Sequence, residues 1–244
     1  MTSREATGLW VQSDGNVRQS LSDKLAVCAY GAIQWPWLLR SLSGGRRADK
    51  FALLDRLGLP HDALPNLGSW KADTVFLAHI CHAIENLKPK SVVELGSGAS
   101  TFVIGKALML HGGGRLRSFD QHPEFVALTQ KWLDDHRIAG ELHHAPLGPA
   151  PGGWPGHWYQ LDHLPPSIDL LVIDGPPWAI HPLVRGAAES LFDRISIGGQ
   201  ILLDDAARPG ERVVARRWRK NWPGFDFTLD KRGTKGTLIG TRLA

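Results

Sequence analysis

Acidic residues stand at the ends of three apolar segments of this chain. Asp120 ends RLRSFD, Asp174 ends IDLLVID, and the pair Asp204 and Asp205 ends GGQILLDD. A buried carboxylate destabilises a fold unless it is paired, so its presence at the end of an apolar segment indicates a function there. Such a group can accept hydrogen bonds from hydroxyl groups, take up a proton, or bind a hard cation such as Mg²⁺.

The segment ELGSGAST, residues 94–101, combines a glycine-rich turn with the predicted start of a helix. Gly96 and Gly98 carry no side chain, so a ligand can approach the backbone, and the first N–H groups of the helix can bind it. Asp120 follows Gly96 by 24 residues, where a strand-end carboxylate can accept both hydroxyls of a ribose. The pattern predicts a site for a cofactor that contains a nucleoside.

Two residues favour a cationic cofactor over a dinucleotide. The dinucleotide fingerprint needs a third small residue for close helix packing, and Thr101 stands at that position. Glu94, just before the turn, would repel a diphosphate and attract an amino group.

Alternating strand and helix patterns position these residues. Five strand patterns (SVVEL, RLRSFD, GELHHAPL, IDLLVID and GGQILLDD) predict a parallel α/β sheet. FDFTLD and GTLIGTRL, joined by a glycine-containing turn, predict a closing hairpin with one antiparallel strand. Residues 1–69 look helical, and we expect Pro36 to end the first helix. Residues 148–156, GPAPGGWPG, are expected to form a flexible loop beside the site.

The composition fits one large soluble domain, since 43% of the 244 residues are hydrophobic and 21% are charged. No apolar run reaches the roughly 18 residues that span a bilayer, and the first residues lack a signal-peptide core. Cys28 and Cys81 suggest neither a metal site nor a disulfide framework, so we expect a reducing, cytoplasmic location. With a net charge of only +4, the basic segments ARRWRK and DKRGTKG are interpreted as solvated surface rather than as a nucleic-acid site.

The motifs VVELGSGAST, SFD, LLVIDGPP and GGQILLDDA resemble, in this order, those of class I S-adenosylmethionine-dependent methyltransferases. WYQLDHLPPSIDLLVIDGPP and LLDDAARPGE resemble, more narrowly, the bacterial group known as methyltransferase-24. The resemblance covers about residues 70–244. It implies a Rossmann-like, seven-stranded, mostly parallel sheet with one antiparallel strand, and a helical extension over residues 1–69 that covers the site.

The resemblance also implies S-adenosylmethionine as the cofactor and assigns residues to its parts. Glu94, Gly96, Ser97 and Gly98 would surround the methionine part of the cofactor. Asp120 would hold the ribose, and Gln121 with His122 would lie near the adenine.

Asp174 leaves three interpretations open. Together with Asp204 and Asp205 it could bind Mg²⁺, as in catechol-type and sugar O-methyltransferases, so that the metal orients a hydroxyl group. Asp174 could instead act without a metal, as a general base or hydrogen-bond acceptor. The segment GPPW also resembles the Pro-Pro-aromatic motif of nucleic-acid amino-methyltransferases, although Gly175 separates Asp174 from the prolines.

We therefore predict an S-adenosylmethionine-dependent methyltransferase that acts on oxygen of a small-molecule or saccharide acceptor. Asp174 is the first catalytic candidate, and His181 is the histidine best placed to act as a base at neutral pH. The alternatives are a nucleic-acid base amino-methyltransferase and a cofactor-binding protein without transferase activity. The acceptor's identity and the oligomeric state do not follow from the sequence.

Overall fold

The computed structural model describes residues 19–64, 66–69 and 71–244, within which nine strands and six α-helices are found. The strands are β1 (Ser91–Leu95), β2 (Arg115–Asp120), β3 (Glu141–His144), β4 (Leu147–Pro149), β5 (His157–Tyr159), β6 (Ile168–Ile173), β7 (Ile195–Leu203), β8 (Phe225–Asp230) and β9 (Thr237–Arg242). The helices are α1 (Leu21–Ser41), α2 (Arg47–Arg56), α3 (Thr74–Leu87), α4 (Ala99–His111), α5 (Pro123–Asp135) and α6 (Pro209–Asn221), with a 3-10 helix over Val184–Arg194.

Seven of these strands form one sheet in the order β3-β2-β1-β6-β7-β9-β8. The first five in this order run parallel, whereas β9 is antiparallel to both of its neighbours. β1 and β6 lie in the middle and are apolar along most of their length, as strands covered on both faces must be. The predicted fold class, a Rossmann-like and mostly parallel sheet with one antiparallel strand, is confirmed.

The strand order reverses between β1 and β6. From β1 the chain adds β2 and β3 on one side, and then it places β6 and β7 on the other. The last residues of the two central strands, Leu95 and Ile173, are paired. Ligands of open α/β sheets bind beyond the carboxyl ends of the strands at such a reversal. Asp174, the residue after β6, therefore stands at the crevice.

Two hydrophobic layers enclose the sheet. On one face, α3 and α4 pack with α2 through buried residues such as Leu54, Phe76 and Phe102. On the other face, the 3-10 helix and α6 pack through Phe192 and Trp218. Because α2 shares the core of the sheet domain, the helical extension is joined to that domain by apolar contacts. The boundary near residue 69 stays a prediction.

The expectation that Pro36 ends the first helix is wrong. α1 begins at a capping box formed by Ser20 and Asp23 and continues through Pro36 to Ser41. A proline inside a helix removes one N–H donor from the carbonyl four residues earlier, here Ala32. Pro36 and Ala32 are both exposed, so water can hydrate that carbonyl and the helix can continue.

The segment of residues 148–156 is not the flexible loop that we expected. β4, which includes its first two residues, and β5, which follows it, pair as a two-stranded antiparallel ribbon. Trp154 within the loop is buried, its indole N–H donates to Glu189 at 2.8 Å, and Arg217 lies 4.0 Å above its ring. The residues that anchor the loop are distant in sequence, so its composition of glycine and proline did not reveal them.

In the part of the chain that the structure describes, no helix is long and apolar enough to cross a membrane.

Candidate active site

The glycine turn after β1 brings the ends of β1 and β6 into close contact. Gly96 has φ of +99°, in the region that favours glycine, and a side chain there would approach the backbone nitrogen of Gly175 to 2.8 Å. Gly98, just before α4, faces open space, since an added Cβ would meet no atom within 4 Å. The first glycine therefore allows the strand ends to meet, and the second leaves room for a ligand.

A buried carboxylate beneath this turn holds it in place through hydrogen-bonded hydroxyl groups. Glu94 is fully buried, and its Oε2 accepts hydrogen bonds from the hydroxyls of Thr101 and Ser118, each at 2.6 Å. The Thr101 hydroxyl accepts the N–H of Gly98 at 2.8 Å, and Ser118 pairs with the hydroxyl of Ser97 at 2.9 Å. Burial raises the pKa of Glu94 to about 7. Thr101, the residue that departs from the dinucleotide fingerprint, links Glu94 to the start of α4.

The carboxylate at the end of β2 lies at the same turn. Asp120 accepts the N–H of Ser97 at 2.9 Å through Oδ2 and the N–H of His122 at 2.8 Å through Oδ1. Each carboxylate oxygen has a second lone pair that can accept a further hydrogen bond. Asp120 can therefore fix the turn and still bind a pair of ligand hydroxyls.

Five of the predicted cofactor residues line one cavity at the carboxyl ends of the strands. They are Gly96, Ser97, Asp120, Gln121 and His122. The side-chain oxygen of Gln121 is buried and has no hydrogen-bond partner among the described residues, so it is an acceptor available to an amino group of a ligand. These features fit a nucleoside cofactor that carries vicinal hydroxyls and an amino group. Glu94 and Gly98 are not part of the lining.

The predicted acidic cluster is also formed. Asp174 follows β6 and Asp204 follows the adjacent β7, and one oxygen from each of Asp174, Asp204 and Asp205 lies within 4.8 Å of the others. The side chains of Asp204 and Asp205 are almost fully buried, whereas that of Asp174 is 11% exposed. Asp174 and Asp205 both line the cavity that holds the cofactor residues. Oδ1 of Asp174 has no hydrogen-bond partner among the described residues.

Three buried cations surround the cluster, and the sequence analysis did not identify them as site residues. Arg208 lies 2.6 Å and Lys235 3.4 Å from Oδ1 of Asp205, while Arg185 donates to its Oδ2 at 3.0 Å. Lys235 also donates to Oδ2 of Asp204 at 3.1 Å. Arg185 further bonds to the backbone carbonyls of residues 174, 176 and 204. The charges of the carboxylates are thus balanced from within the protein.

Burial and these charges set the protonation of the cluster. Burial raises the pKa of Asp174, and it raises the pKa of Asp204 well above the ordinary range. For Asp205, the neighbouring cations outweigh burial and lower the pKa. For Lys235, burial opposes the charge, but the surrounding carboxylates outweigh it and raise the pKa. Asp205 and Lys235 are therefore ionised at neutral pH.

The basic turn DKRGTKG is not wholly the solvated surface that we predicted. Lys231 and Arg232 are exposed, but Lys235 is buried with 2% of its surface accessible. Arg185 lies in the 3-10 helix among apolar residues, and Arg208 precedes the proline that begins α6. Residue type and spacing carried no signal for Arg185 and Lys235, because their partners come from other elements, whereas Arg208 lies only three residues after its partner Asp205.

The donor atoms of the cluster suit Mg²⁺, but its charge does not. Carboxylate oxygens are hard ligands of the kind Mg²⁺ prefers. Both oxygens of Asp205 and one of Asp204 already contact the cations described above. A divalent ion would meet the repulsion of these positive charges in a buried setting. The residues present therefore fit Mg²⁺ poorly, and the metal stays a prediction.

His181 lies apart from these groups. It is buried, its Nδ1 accepts the N–H of Leu183 at 3.1 Å, and it is not part of the cavity lining. Burial lowers its pKa. Tyr159 and Trp178 line the cavity instead, and the hydroxyl of Tyr159 would collide with any side chain at Gly175. The catalytic role of His181 stays a prediction that this geometry does not support.

Comparison with known proteins gives these observations a context. Residues 93–206, from β1 through the acidic pair that follows β7, match the family model Methyltransf_24, described as a methyltransferase domain. The match spans 114 of the 244 residues, so this part of the chain is similar to a methyltransferase domain. No curated protein sequence matches it.

Solved structures of methyltransferases are similar to this domain in fold. The S-adenosylhomocysteine-bound methyltransferase PaMTH1 of Podospora anserina matches 93% of this chain and 98% of its own at 14% identity, with a TM-score of 0.55. An O-methyltransferase of Bacillus cereus in complex with S-adenosylhomocysteine matches 91% of this chain and 99% of its own at 12% identity, with a TM-score of 0.55. The O-methyltransferase TomG of Streptomyces achromogenes, in complex with S-adenosylmethionine, matches 95% of this chain and 94% of its own at 13% identity, with a TM-score of 0.51.

Proposed function

We propose that this methyltransferase transfers a methyl group from S-adenosylmethionine to an oxygen of a small-molecule or saccharide acceptor. The observation that carries the proposal is one shared cavity: the cofactor residues Gly96, Ser97 and Asp120 line it together with the carboxylate of Asp174. The O-methyltransferases TomG and that of Bacillus cereus share this fold, which supports oxygen as the methylated atom.

The residues at the β2 end of the cavity would hold the cofactor. Asp120 would accept hydrogen bonds from the two ribose hydroxyls, and the unpartnered Gln121 oxygen would accept the amino group of the adenine. Gly96 and Ser97 would face the methionine part. S-adenosylmethionine, when bound, supplies the methyl group, and the protein has chiefly to align the acceptor with it and to remove a proton.

Asp174 would serve the acceptor. Its Oδ1 has no hydrogen-bond partner among the described residues, lies 3.6 Å from Nη2 of Arg185 and belongs to a side chain that reaches the cavity. Because burial raises its pKa, the carboxylate is a better proton acceptor than an exposed aspartate. We infer that it hydrogen bonds to the acceptor hydroxyl and takes its proton as the oxygen attacks.

The helical extension would cover the acceptor. Leu38 and Ser41 of α1, with Ser69, line the cavity that Asp174 lines. A side chain at Gly31, two turns earlier in α1, would touch the ring of Trp178 at 3.5 Å. We propose that α1 excludes water from the acceptor and shapes its selection.

The test begins with the acceptor. Extracts and a panel of hydroxylated compounds, saccharides and polynucleotides would be incubated with the protein and S-adenosylmethionine that bears an isotopically labelled methyl group. Mass spectrometry would then identify the product that carries the label. Label confined to polynucleotides would overturn the small-molecule proposal, and transfer to none of them would favour a cofactor-binding protein without transferase activity.

With that acceptor, Asp174→Asn should leave the affinity for S-adenosylhomocysteine unchanged and lower kcat at least tenfold. Tenfold corresponds to about 1.4 kcal/mol in the activation barrier. The matched control is Asp162→Asn at an exposed position, which should turn over normally. Normal turnover by Asp174→Asn would remove Asp174 from the mechanism.

A further inference from the structure

A lysine ammonium group lies inside the acidic cluster, where a metal ion could otherwise bind. Nζ of Lys235 is 3.1 Å from Oδ2 of Asp204 and 3.4 Å from Oδ1 of Asp205, and its side chain is 1% exposed. Lysines are seldom buried to this extent unless they are paired. The two carboxylates that follow β7 therefore share one cation that belongs to the chain itself.

Hydrogen bonds to two other parts of the chain hold Lys235 in this place. On one side, Asp73 accepts the N–H groups of Thr234 at 2.6 Å and of Lys235 at 3.3 Å. On the other, Ala207 donates its N–H to the Lys235 carbonyl at 3.0 Å. The turn between β8 and β9 is thus fastened both to the start of α3 and to the segment after Asp205. These bonds fix the backbone from which the Lys235 side chain enters the cluster.

The other cations leave little room for an ion from solution. Arg208 and Arg185 occupy the remaining positions around Asp205, at 2.6 and 3.0 Å. Among the described residues, one oxygen each of Asp174, Asp204 and Asp205 has no hydrogen-bond partner. That of Asp205 lies 2.6 Å from Arg208 and 3.4 Å from Lys235, which leaves the oxygens of Asp174 and Asp204 for an ion. A divalent ion there would have two protein ligands, whereas Mg²⁺ and Mn²⁺ need about six oxygens and would feel the repulsion of Lys235.

We propose that the Lys235 ammonium group is the resident cation of this cluster and that it takes the place of a divalent metal. Lys235 is then a positioning residue: it balances the charge of Asp205 and donates a hydrogen bond to Asp204, so that Asp174, the residue facing the acceptor, is held at the end of β6. The catalytic part of this inference rests on the proposed methyl transfer, whereas the statement about cation binding stands independently of it.

The experiment measures cation binding directly. Mn²⁺, followed by electron paramagnetic resonance, is the probe, and thermal melting with S-adenosylhomocysteine is recorded in Mg²⁺ and in EDTA. We expect the wild-type protein to bind no Mn²⁺ at the cluster at millimolar concentration and to melt at the same temperature in both solutions. Lys235→Ala should melt lower in EDTA, bind one Mn²⁺, and recover part of its loss in Mg²⁺ or Mn²⁺. Lys231→Ala, an exposed lysine in the same turn, should behave as the wild type does.

Each result supports or overturns the assignment of Lys235 as the resident cation. Binding of one Mn²⁺ by the wild type, abolished by Asp205→Asn, would overturn the proposal, and so would a Lys235→Ala variant that is as stable as the wild type and binds no metal. If Lys235→Ala does not fold, the wild-type titration alone decides. Methyl transfer that EDTA stops and Mg²⁺ restores would overturn this inference and leave the proposed function intact. Absence of any methyl transfer, with no Mn²⁺ bound by the wild type, would remove the proposed function and leave the cation assignment.

Discussion

At the scale of single residues, acidic side chains near the crevice differ in role because they differ in neighbours. Asp120 accepts backbone N–H groups and borders the cavity, whereas Glu94 is sealed behind the turn and accepts hydroxyl groups. Asp205 lies among cations, and Asp174 keeps one oxygen without a hydrogen-bond partner in the described structure. The same functional group thus serves as ligand acceptor, internal support, charge partner and candidate base.

Glu94 makes the stability of the protein depend on pH in a defined direction. Its pKa is raised from 4.5 to about 7 by burial, so the folded protein retains a proton that the unfolded chain releases. The contribution of this group to the free energy of unfolding therefore falls as the pH rises from about 4.5 to about 7, and the loss is complete above that range. Glu94→Gln, which carries no titrating proton, should lack this component.

Urea denaturation at several pH values would check this prediction. Relative to the wild type, Glu94→Gln should gain about 3 kcal/mol between about pH 4.5 and about pH 8, because one pKa unit corresponds to about 1.4 kcal/mol. Glu124→Gln, at an exposed position in the first turn of α5, provides the control and should follow the wild-type profile. Parallel profiles for Glu94→Gln and the wild type would show that folding does not raise the pKa of Glu94.

Residue-scale prediction from the sequence succeeded where a side chain acts at the end of its own strand. Asp120 and Asp174 were identified because an apolar run delivers a carboxylate to the sheet edge, and both line the cavity. It failed for Arg185 and Lys235, since a buried cation is recognisable only from the carboxylates around it. Those carboxylates lie about 20 and 30 residues away along the chain, beyond the reach of local spacing.

At the scale of elements, strands with a regular apolar or alternating pattern were predictable and turns held by distant contacts were not. The bounds of β1, β2 and β8 coincide with the predicted segments, because apolar or alternating runs end at turn residues there. The loop over residues 148–156 and the turn between β8 and β9 look mobile by composition. Trp154 anchors the first to the 3-10 helix, and Asp73 anchors the second to α3.

Asp73 is the residue on which the second of these anchors depends. It caps α3 by accepting the N–H of Phe76 at 2.8 Å, and its other oxygen accepts from Thr234 and Lys235. Asp73→Ala should lower the free energy of unfolding by about 2–4 kcal/mol, since it removes a helix cap and leaves buried N–H groups unpaired. The measurement is urea denaturation, combined with hydrogen exchange of the amides of residues 231–236.

Ser20→Ala is the matched control for this change. It removes the side-chain cap of α1, which is exposed and has no contact with the hairpin, so a cost of about 1 kcal/mol is expected. Exchange at residues 231–236 should accelerate in Asp73→Ala and stay unchanged in Ser20→Ala. An equal cost for the two variants, with no change in exchange, would mean that Asp73 is merely a helix cap.

At the scale of the whole molecule, the site lies where the two halves of the sheet, the extension and the hairpin meet. The cavity is lined from the turns after β1, β2, β6 and β7 and from α1. A ligand bound there contacts segments that would separate on unfolding, so its binding free energy adds to the stability of the entire domain. Sequence patterns predicted the sheet and its crevice, whereas the closeness of α1 to the crevice required the packed structure.

The whole-molecule prediction concerns which nucleoside ligand stabilises the fold. S-adenosylhomocysteine should raise the melting temperature, because binding at one hundred times the dissociation constant adds about 2.7 kcal/mol, or roughly 5–10 °C for a chain of this size. NAD should have no effect, since Glu94 lies behind the turn that would have to hold its diphosphate and Thr101 is committed to Glu94 and Gly98. Asp120→Ala should abolish most of the shift, and Glu124→Ala should retain it. Stabilisation by NAD and none by S-adenosylhomocysteine would contradict both the cofactor and the role given to Asp120, whatever the acceptor proves to be.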